Sequence, residues 1–145
     1  MSVTIRDYIN NAKFVRNNLE TETDRIIQDH KQEILDLNRE DQLFDKGINS
    51  DGSMLEAYSP KTVKIKKSKG EVYNRTTLLD EGPFYAGFDL FNKNGTLSIF
   101  SRDSKSIELQ DKYGSNIFGL VTDNAKKLNY EIIKPDLDKF IQKYL

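Results

Sequence analysis

The sequence contains no cysteine and a single histidine, His30. Without cysteine the chain can form no disulfide, no thiolate nucleophile and no zinc–thiolate site. A catalytic triad or a histidine metal site would need partners within reach of His30, and among other metal sites only an all-oxygen magnesium or calcium site remains open. The sequence therefore predicts a protein without a catalytic site, a metal or a cofactor.

Long apolar runs and an excess of one charge are also missing. No stretch approaches the roughly 20 apolar residues that a membrane span requires, so we expect no membrane partner. Lysine and arginine number 22 against 23 aspartates and glutamates, and this balance argues against bulk electrostatic capture of nucleic acid. With 145 residues, of which 37% are hydrophobic, the chain is long enough to bury the core of one domain.

The N-terminal residues predict a long amphipathic helix over 4–37, with a break between about residues 21 and 24 where the apolar stripe thins. Thr4 followed by Asp7 is typical of a capping box at a helix start. Two interpretations remain open: the helix packs on its own sheet, or it packs between subunits like a coiled coil. For the second interpretation, the candidate interface residues recur at seven-residue spacing: Ile5, Ala12 and Leu19.

Residues 43–121 predict an antiparallel, β-rich core. Leu43–Ile48 has the pattern of a short strand, and Asn49–Ser53 has the composition of a turn. The interpretation of this turn as a calcium-binding loop is excluded. Gly47 and Tyr58 would stand at the first and last ligand positions of that loop, and neither carries a carboxylate. A structural turn is therefore the interpretation we adopt.

Lysines concentrate in residues 61–69. Val63 and Ile65 alternate with them, which fits either a strand or one helical turn after Ser59-Pro60. The cluster suggests either a solvated edge guarded by lysines or a surface that faces phosphates in a DNA-bearing channel. No aromatic residues are interleaved as a stacking platform requires. The candidate DNA-facing residues are Lys64, Lys66, Lys67 and Lys69.

The stretch Leu78–Leu90 is predicted to form a fixed corner that leads into a β-hairpin, with Phe84–Phe91 as its first strand. Gly82 supplies backbone freedom, Pro83 fixes φ, and Asp80 is placed to cap the next turn. Asn94-Gly95 between two alternating apolar runs is a strong hairpin signal. We expect one set of side chains to anchor the hairpin in the core, namely Leu78, Leu79, Phe88 and Leu90. Two others are candidates for contact with another subunit, namely Phe84 and Tyr85.

The last third of the chain is predicted to contain a short helical turn closed by Gly114, an apolar plug at 117–120 and a C-terminal helix. Thr122 or Asp123 would cap that helix, and at Pro135 we expect a kink or a restart with Pro135 in a first-turn position. The predicted fold class is α+β in a single domain, residues 1–145. Its parts are a helical arm or packing helix over 1–40, a small antiparallel sheet with the Asn-Gly hairpin within 43–121, and a C-terminal helix over 122–145.

One composite pattern runs through the second part of the chain. Thr77–Gly82 followed by Phe84-Tyr85 combines leucine, an acid, glycine and an amphipathic segment. Around it, in order, stand Gly47 with Asp51-Gly52, Tyr58-Ser59-Pro60 with Thr62 and the lysines, Tyr113-Gly114, Ile117–Leu120 and Asn124. Over Leu43–Leu145 this order resembles a group of small tailed-bacteriophage virion proteins near the tail-completion, neck and virion-morphogenesis families. The chain departs from that pattern at Glu81, where threonine is common, and at Pro83, where a polar residue is usual.

The resemblance implies a structural virion protein that joins head to tail or completes the tail and assembles as a ring, often of six or twelve copies. It implies that the protein is made in the host cytoplasm and resides in the neck or tail of the virion. The implied partners are other copies of the chain and portal, adaptor or tail-tube proteins. The lysine segment adds packaged DNA as a candidate contact. The alternative that the residues themselves suggest is a nucleic-acid-binding accessory protein that uses Lys61–Lys69.

Overall fold

The computed structural model describes residues 2–80 and 82–145. It confirms the α+β class, with 62% helix, a long N-terminal helix, a two-stranded antiparallel sheet and a C-terminal helix. The chain forms two compact units. The first unit consists of Met1–Lys31 and Ala125–Leu145, and the second unit consists of Gln32–Asn124. The elements in chain order are α1 (Ile5–Asp29), α2 (Lys31–Asp36), a π-helix (Leu37–Lys46), α3 (Pro60–Ser68), α4 (Pro83–Ala86), β1 (Phe88–Lys93), β2 (Thr96–Ser101), α5 (Ser106–Tyr113), a 3-10 turn (Ser115–Ile117), α6 (Thr122–Lys127), a second π-helix (Leu128–Ile133) and α7 (Lys134–Tyr144).

In the first unit, α1 and α7 pack antiparallel. His30 Nε2, directly after α1, lies 2.9 Å from Asp136 Oδ2, and the rings of Phe14 and Tyr144 are 4.7 Å apart toward the other end. Since α7 ends at Tyr144, the residues of α1 before Phe14 extend about 13 Å beyond it at 1.5 Å per residue. The first part of α1 is therefore an arm without a helical neighbour from α7.

The predicted capping box at the start of α1 is confirmed. The Asp7 N–H donates to Thr4 Oγ1 at 3.1 Å, and the Thr4 N–H donates to Asp7 Oδ2 at 2.9 Å. The hydrogen bonds from the Thr4 backbone and side chain hold the pKa of the Asp7 carboxyl below its usual value. These reciprocal bonds fix where the helix begins.

The break predicted between residues 21 and 24 is wrong. α1 continues to Asp29, and the interruption falls at His30, whose φ of −105° and ψ of 17° are not helical. Within the predicted break, the Arg25 guanidinium pairs with Glu22 one turn away, and the Thr23 hydroxyl donates to a backbone carbonyl of the preceding turn. Charged residues that thin an apolar stripe can still stabilise a helix through such i,i+3 pairs.

In the second unit, the strand predicted over Leu43–Ile48 is wrong. Most of these residues belong to the π-helix, which ends at Gly47 in a left-handed conformation with φ of 63°. Leu43 is fully buried from the helix, together with Asn38 and Gln42. A bridge between Ile48 and Met54 closes the turn Asn49–Ser53, which is confirmed.

Residues 62–67 are helical, so the strand interpretation of the lysine segment is wrong and the helical one is correct. Ser59 is extended, its Oγ accepts the Thr62 N–H at 3.2 Å, and Pro60 is the first residue of α3. Proline at the first helical position has no N–H to leave unpaired. This start signal outweighs the alternation of Val63 and Ile65 with lysine.

The Asn94-Gly95 hairpin is confirmed. β1 pairs antiparallel with β2, from Phe88 opposite Ser101 to Lys93 opposite Thr96. Asn94 and Gly95 both have positive φ, at 52° and 80°, which is the backbone geometry of a type I′ turn. Asparagine and glycine tolerate this geometry better than other residues.

The corner before the hairpin differs in detail from the prediction. Pro83–Ala86 form one helical turn, so the first strand begins at Phe88 and not at Phe84. Among the described residues no side chain caps this turn, and the predicted cap Asp80 instead has its Oδ2 3.6 Å from Lys105 Nζ. Of the predicted core anchors, Leu78, Phe88 and Leu90 are buried and Leu79 is half-buried. Glu81, part of the pattern that carries the resemblance, lies outside the described residues.

The C-terminal helix is confirmed, as is the helical turn that Gly114 closes. α6, the second π-helix and α7 follow one another directly, and Pro135 stands in the first turn of α7, where the predicted restart occurs. Thr122 and Asp123 lie inside the first turn of α6 and do not precede it, so the predicted cap is wrong. Among the described residues of 43–121, strand pairing consists of one hairpin and one bridge. The segment is therefore more helical than its pattern predicted.

Candidate functional site

The single histidine forms a structural pair with an acid. His30 and Asp136 are each half-buried, and the hydrogen bond from His30 holds the pKa of the Asp136 carboxyl below its usual value. The pair links the residue after α1 to the first turn of α7. Among residues 2–80 and 82–145, no group of three or more histidines and acids could hold a metal ion.

The predicted subunit contact at Phe84 and Tyr85 is wrong, because these side chains are only 5% and 6% exposed. The Phe84 ring lies edge-on to Phe88, with centroids 5.2 Å apart. The Tyr85 hydroxyl donates to the Thr77 carbonyl, and burial is the main cause that raises the pKa of Tyr85 well above its usual value. The helical turn that Pro83 starts directs both rings into the core, and the Gly82-Pro83 pair was the available signal.

The predicted interface residues of α1 fall into two groups. Ile5 is 81% exposed, whereas Ala12 and Leu19 are half-buried. Tyr8 and Ile9 are also exposed, and with Ile5 and Ala12 they form what we call the front face of α1. Further along the same helix, Val15 and Ile26 are buried. One apolar stripe is thus covered along its second part and exposed to solvent along its first.

The lysine segment divides in a similar way. The prediction that Lys66 faces DNA is wrong, because this residue is only 8% exposed. Its Nζ donates to Glu71 Oε2 at 3.2 Å and to the Leu79 carbonyl at 3.3 Å, and it lies 4.9 Å from the Tyr58 ring centroid. The candidates Lys64, Lys67 and Lys69 are exposed.

A helix explains this division. Lys61, Lys64 and Lys67 follow one another at three-residue spacing, so they share one side of α3, and we call them the lysine row. Lys66 lies on another side, where it joins α3 to the segment that precedes the corner. A strand would have placed Lys64 and Lys66 together, which is why the pattern misled the prediction.

A cavity of about 280 Å³ lies beside Lys66 in the second unit. α3, the corner and α5 line it, and its apolar residues include Ile65, Leu79, Pro83 and Leu109. Polar groups at its edge pair with one another, as Lys66 does with Glu71 and Lys105 with Asp80. No local sequence pattern indicates this cavity, since residues as far apart in the chain as Ile65 and Leu109 form it.

Two buried amides that are not among the predicted functional residues hold the apolar plug. Asn38 donates to the Ile117 carbonyl and accepts the Gly119 N–H, at 3.0 and 2.9 Å. Gln42 donates to the Gly119 carbonyl and accepts the Val121 N–H, both at 2.9 Å. The two side chains thus pair with the backbone of residues 117–121 as a neighbouring strand would.

Asn124, one of the residues that carry the resemblance, completes this amide cluster. It is 1% exposed, and its Nδ2 donates to the Leu37 carbonyl at 3.1 Å and to Gln42 Oε1 at 3.0 Å. Its role in the fold is therefore to satisfy buried polar groups. The spacing of Asn38 and Gln42 by four residues was the one available signal.

Comparisons with protein-family models, curated proteins and solved structures found no match for this chain. Within the described part of the chain, no helix is both long and apolar enough to cross a bilayer. The resemblance to phage virion proteins therefore stays a prediction that rests on the residues that carry it.

Proposed function

We propose that this protein is a structural virion component of a tailed bacteriophage, in the neck, at the head–tail joint or in tail completion, and that it acts by self-assembly into a ring. The observation that carries the proposal is the front face of α1. Ile5, Tyr8 and Ile9 are exposed there on an arm that extends beyond α7. Contiguous exposed apolar side chains on a protein surface commonly mark an interaction site.

A second copy of the chain is the partner that we propose for this face. Ile5, Ala12 and Leu19 recur every seven residues, which is the spacing of helices that pack between chains. Association would remove the front face from water, a gain of roughly 25 cal/mol for each Å² of apolar surface buried. If each copy gives its arm to the next, repeated contacts close into a ring.

The virion location and the further partners come from the resemblance. On this proposal the ring meets portal, adaptor or tail-tube proteins, and the protein performs no chemical step and needs no cofactor. A portal or major tail gene beside the coding sequence would support the assignment. A neighbourhood of metabolic genes alone would count against it.

Self-assembly is tested by mass photometry and negative-stain electron microscopy of the purified protein. We expect oligomers of the wild type and mostly monomers of the double variant Ile5→Ser/Ile9→Ser. The matched control Asn10→Ser/Asn17→Ser changes two exposed residues on another side of α1 and should assemble like the wild type. Circular dichroism checks that each variant keeps its helix content.

Two results would contradict the proposal. One is a wild type that stays monomeric over the whole accessible concentration range. The other is a folded Ile5→Ser/Ile9→Ser variant that forms the same oligomers as the wild type.

A further inference from the structure

Charge is strongly segregated along this nearly neutral chain. Residues 20–45 contain nine acids against three bases, whereas residues 61–75 contain six bases against one acid. The chain as a whole carries a net charge of −1. Segregation of this kind creates local fields of opposite sign that a net charge conceals.

The basic field is presented by the lysine row of α3. Lys61, Lys64 and Lys67 are exposed, and α3 contains no acidic residue. Within the described residues, the lysine row makes no ion pair. The Nζ of Lys67 lies 5.4 Å from the centroid of the Tyr73 ring. Three neighbouring ammonium groups therefore face solvent without an ion pair to any carboxylate of residues 2–80 and 82–145.

The acidic field is presented by two residues of the π-helix, Glu40 and Asp45. Both are exposed, and neither forms an ion pair within the described part of the chain. In a π-helix each residue lies next to the one five positions on, so the two carboxylates share one side of the helix. Both charges act on the nearby Tyr85, where they add to burial in raising its pKa. We call Glu40 and Asp45 the acidic pair.

We propose that the lysine row of one copy binds the acidic pair of the next copy in the assembly. The two surfaces belong to the same compact unit and carry opposite charge, so one head-to-tail contact between copies neutralises both. A contact between two different surfaces repeats from copy to copy, which is the kind of contact that closes rings. This inference rests on the proposed self-assembly and names a second contact besides the front face of α1.

A neighbouring copy fits the lysine row better than nucleic acid does. Single-stranded nucleic acid binds where aromatic rings are free to stack on bases, and here Lys66 and Lys67 lie over the rings of Tyr58 and Tyr73. Tight duplex binding needs more phosphate contacts than three lysines supply.

Charge reversal tests the contact. We expect Lys64→Glu/Lys67→Glu and, separately, Glu40→Lys/Asp45→Lys to raise the apparent dissociation constant of the oligomer about tenfold or more at low salt. The chain that carries all four substitutions should recover association to within about threefold of the wild type, because the two charges are exchanged. An equimolar mixture of the two double variants should form mixed oligomers. A matched control, Lys93→Glu/Lys112→Glu, makes the same change of net charge elsewhere in the unit and should assemble nearly like the wild type.

The readouts are mass photometry at low and high salt and fluorescence anisotropy with labelled single- and double-stranded DNA. Association that is insensitive to salt and to both double variants, yet lost in Ile5→Ser/Ile9→Ser, would overturn this inference and leave the proposed function standing. Failure of the four-substitution chain to recover would overturn it as well. Salt-dependent DNA binding that disappears in Lys64→Glu/Lys67→Glu, with assembly unchanged, would instead assign the row to nucleic acid.

Discussion

The hydroxyl of Tyr85 donates a hydrogen bond to the carbonyl oxygen of Thr77 inside the core of the second unit. On the other side of the same residue, the Thr77 N–H donates to the hydroxyl of Tyr58 at 3.1 Å. Thr77 is 1% exposed, so water cannot replace either bond. Two tyrosines thus satisfy the backbone of one buried residue just before the corner at Gly82-Pro83.

Tyr85→Phe should therefore destabilise the protein although it removes a single oxygen. The Thr77 carbonyl would remain buried without this donor, which costs about 1–3 kcal/mol. Urea unfolding followed by circular dichroism measures the loss. Tyr130→Phe is the matched control, because Tyr130 is 66% exposed and its hydroxyl can bond to water. Equal stability of the two variants would show that the Tyr85 hydroxyl does not support the corner.

Gln42→Ala should be more damaging than most substitutions of a polar residue. Gln42 is fully buried, and its loss leaves the Gly119 carbonyl and the Val121 N–H without their side-chain partner. We expect a fall of about 2–4 kcal/mol in the free energy of unfolding. The exposed Gln28 provides the control, since Gln28→Ala should change stability by less than about 0.5 kcal/mol. A loss below 1 kcal/mol for Gln42→Ala would contradict its role as a backbone partner.

Ile26→Ala and Ile5→Ala should have different effects although both positions belong to one seven-residue series. Ile26 is 0% exposed, and its truncation should cost about 2–5 kcal/mol. Ile5 is 81% exposed in the single chain, so Ile5→Ala should leave monomer stability nearly unchanged and weaken association. Unfolding at low protein concentration separates the two quantities. A large loss of monomer stability in Ile5→Ala would mean that the front face is covered within the chain.

The ionisation of Asp136 makes part of the free energy of unfolding depend on pH. Its carboxyl pKa is lowered from the usual 3.8, first by the hydrogen bond from His30. A carboxyl whose pKa is lower in the folded state stabilises the fold above its unfolded pKa and loses this effect as pH falls through the folded pKa. The difference in unfolding free energy between the wild type and Asp136→Asn should therefore shrink as pH falls below about 4.

A double-mutant comparison separates the pH-dependent contribution of Asp136 from the contributions of the other acidic residues. In a His30→Ala background the main cause of the lowered pKa is gone and only the charges of Lys139 and Arg25 still lower it, so Asp136→Asn should change the pH dependence between pH 3 and 5 much less. Chemical unfolding at several pH values provides the measurement. An unchanged pH profile in Asp136→Asn with His30 intact would show that the pair does not contribute to stability.

Several elements were predictable because their determinants lie within a few residues. The capping box at Thr4 and Asp7, the Asn94-Gly95 hairpin and the proline restart at Pro135 all depend on local backbone chemistry. The lysine segment was ambiguous because alternation and a helix start occupied the same residues. There Ser59 and Pro60 decided the structure, since their bonds at the first turn favour the helix.

The functional assignments of single residues depended more on packing. Phe84 and Tyr85 were predicted at a subunit contact, yet one helical turn directs both into the core. Lys66 was grouped with its neighbours as a DNA-facing residue, yet its helical phase turns it toward Glu71 and Leu79. In both cases the residue type was compatible with either environment, and the direction of the side chain decided between them.

By itself, the sequence determined the α+β class, the long first helix with its start, the hairpin with its turn, and the apolar spacing from Ile5 to Ile26, because these follow from contacts between near neighbours. The tertiary structure alone decided which part of that stripe is covered, which lysines reach solvent, and that Asn38 and Gln42 pair with residues some 80 positions away. Burial and long-range hydrogen bonds depend on which segments meet in space. A periodic pattern shows which face of a helix is apolar, but it does not show what packs against it.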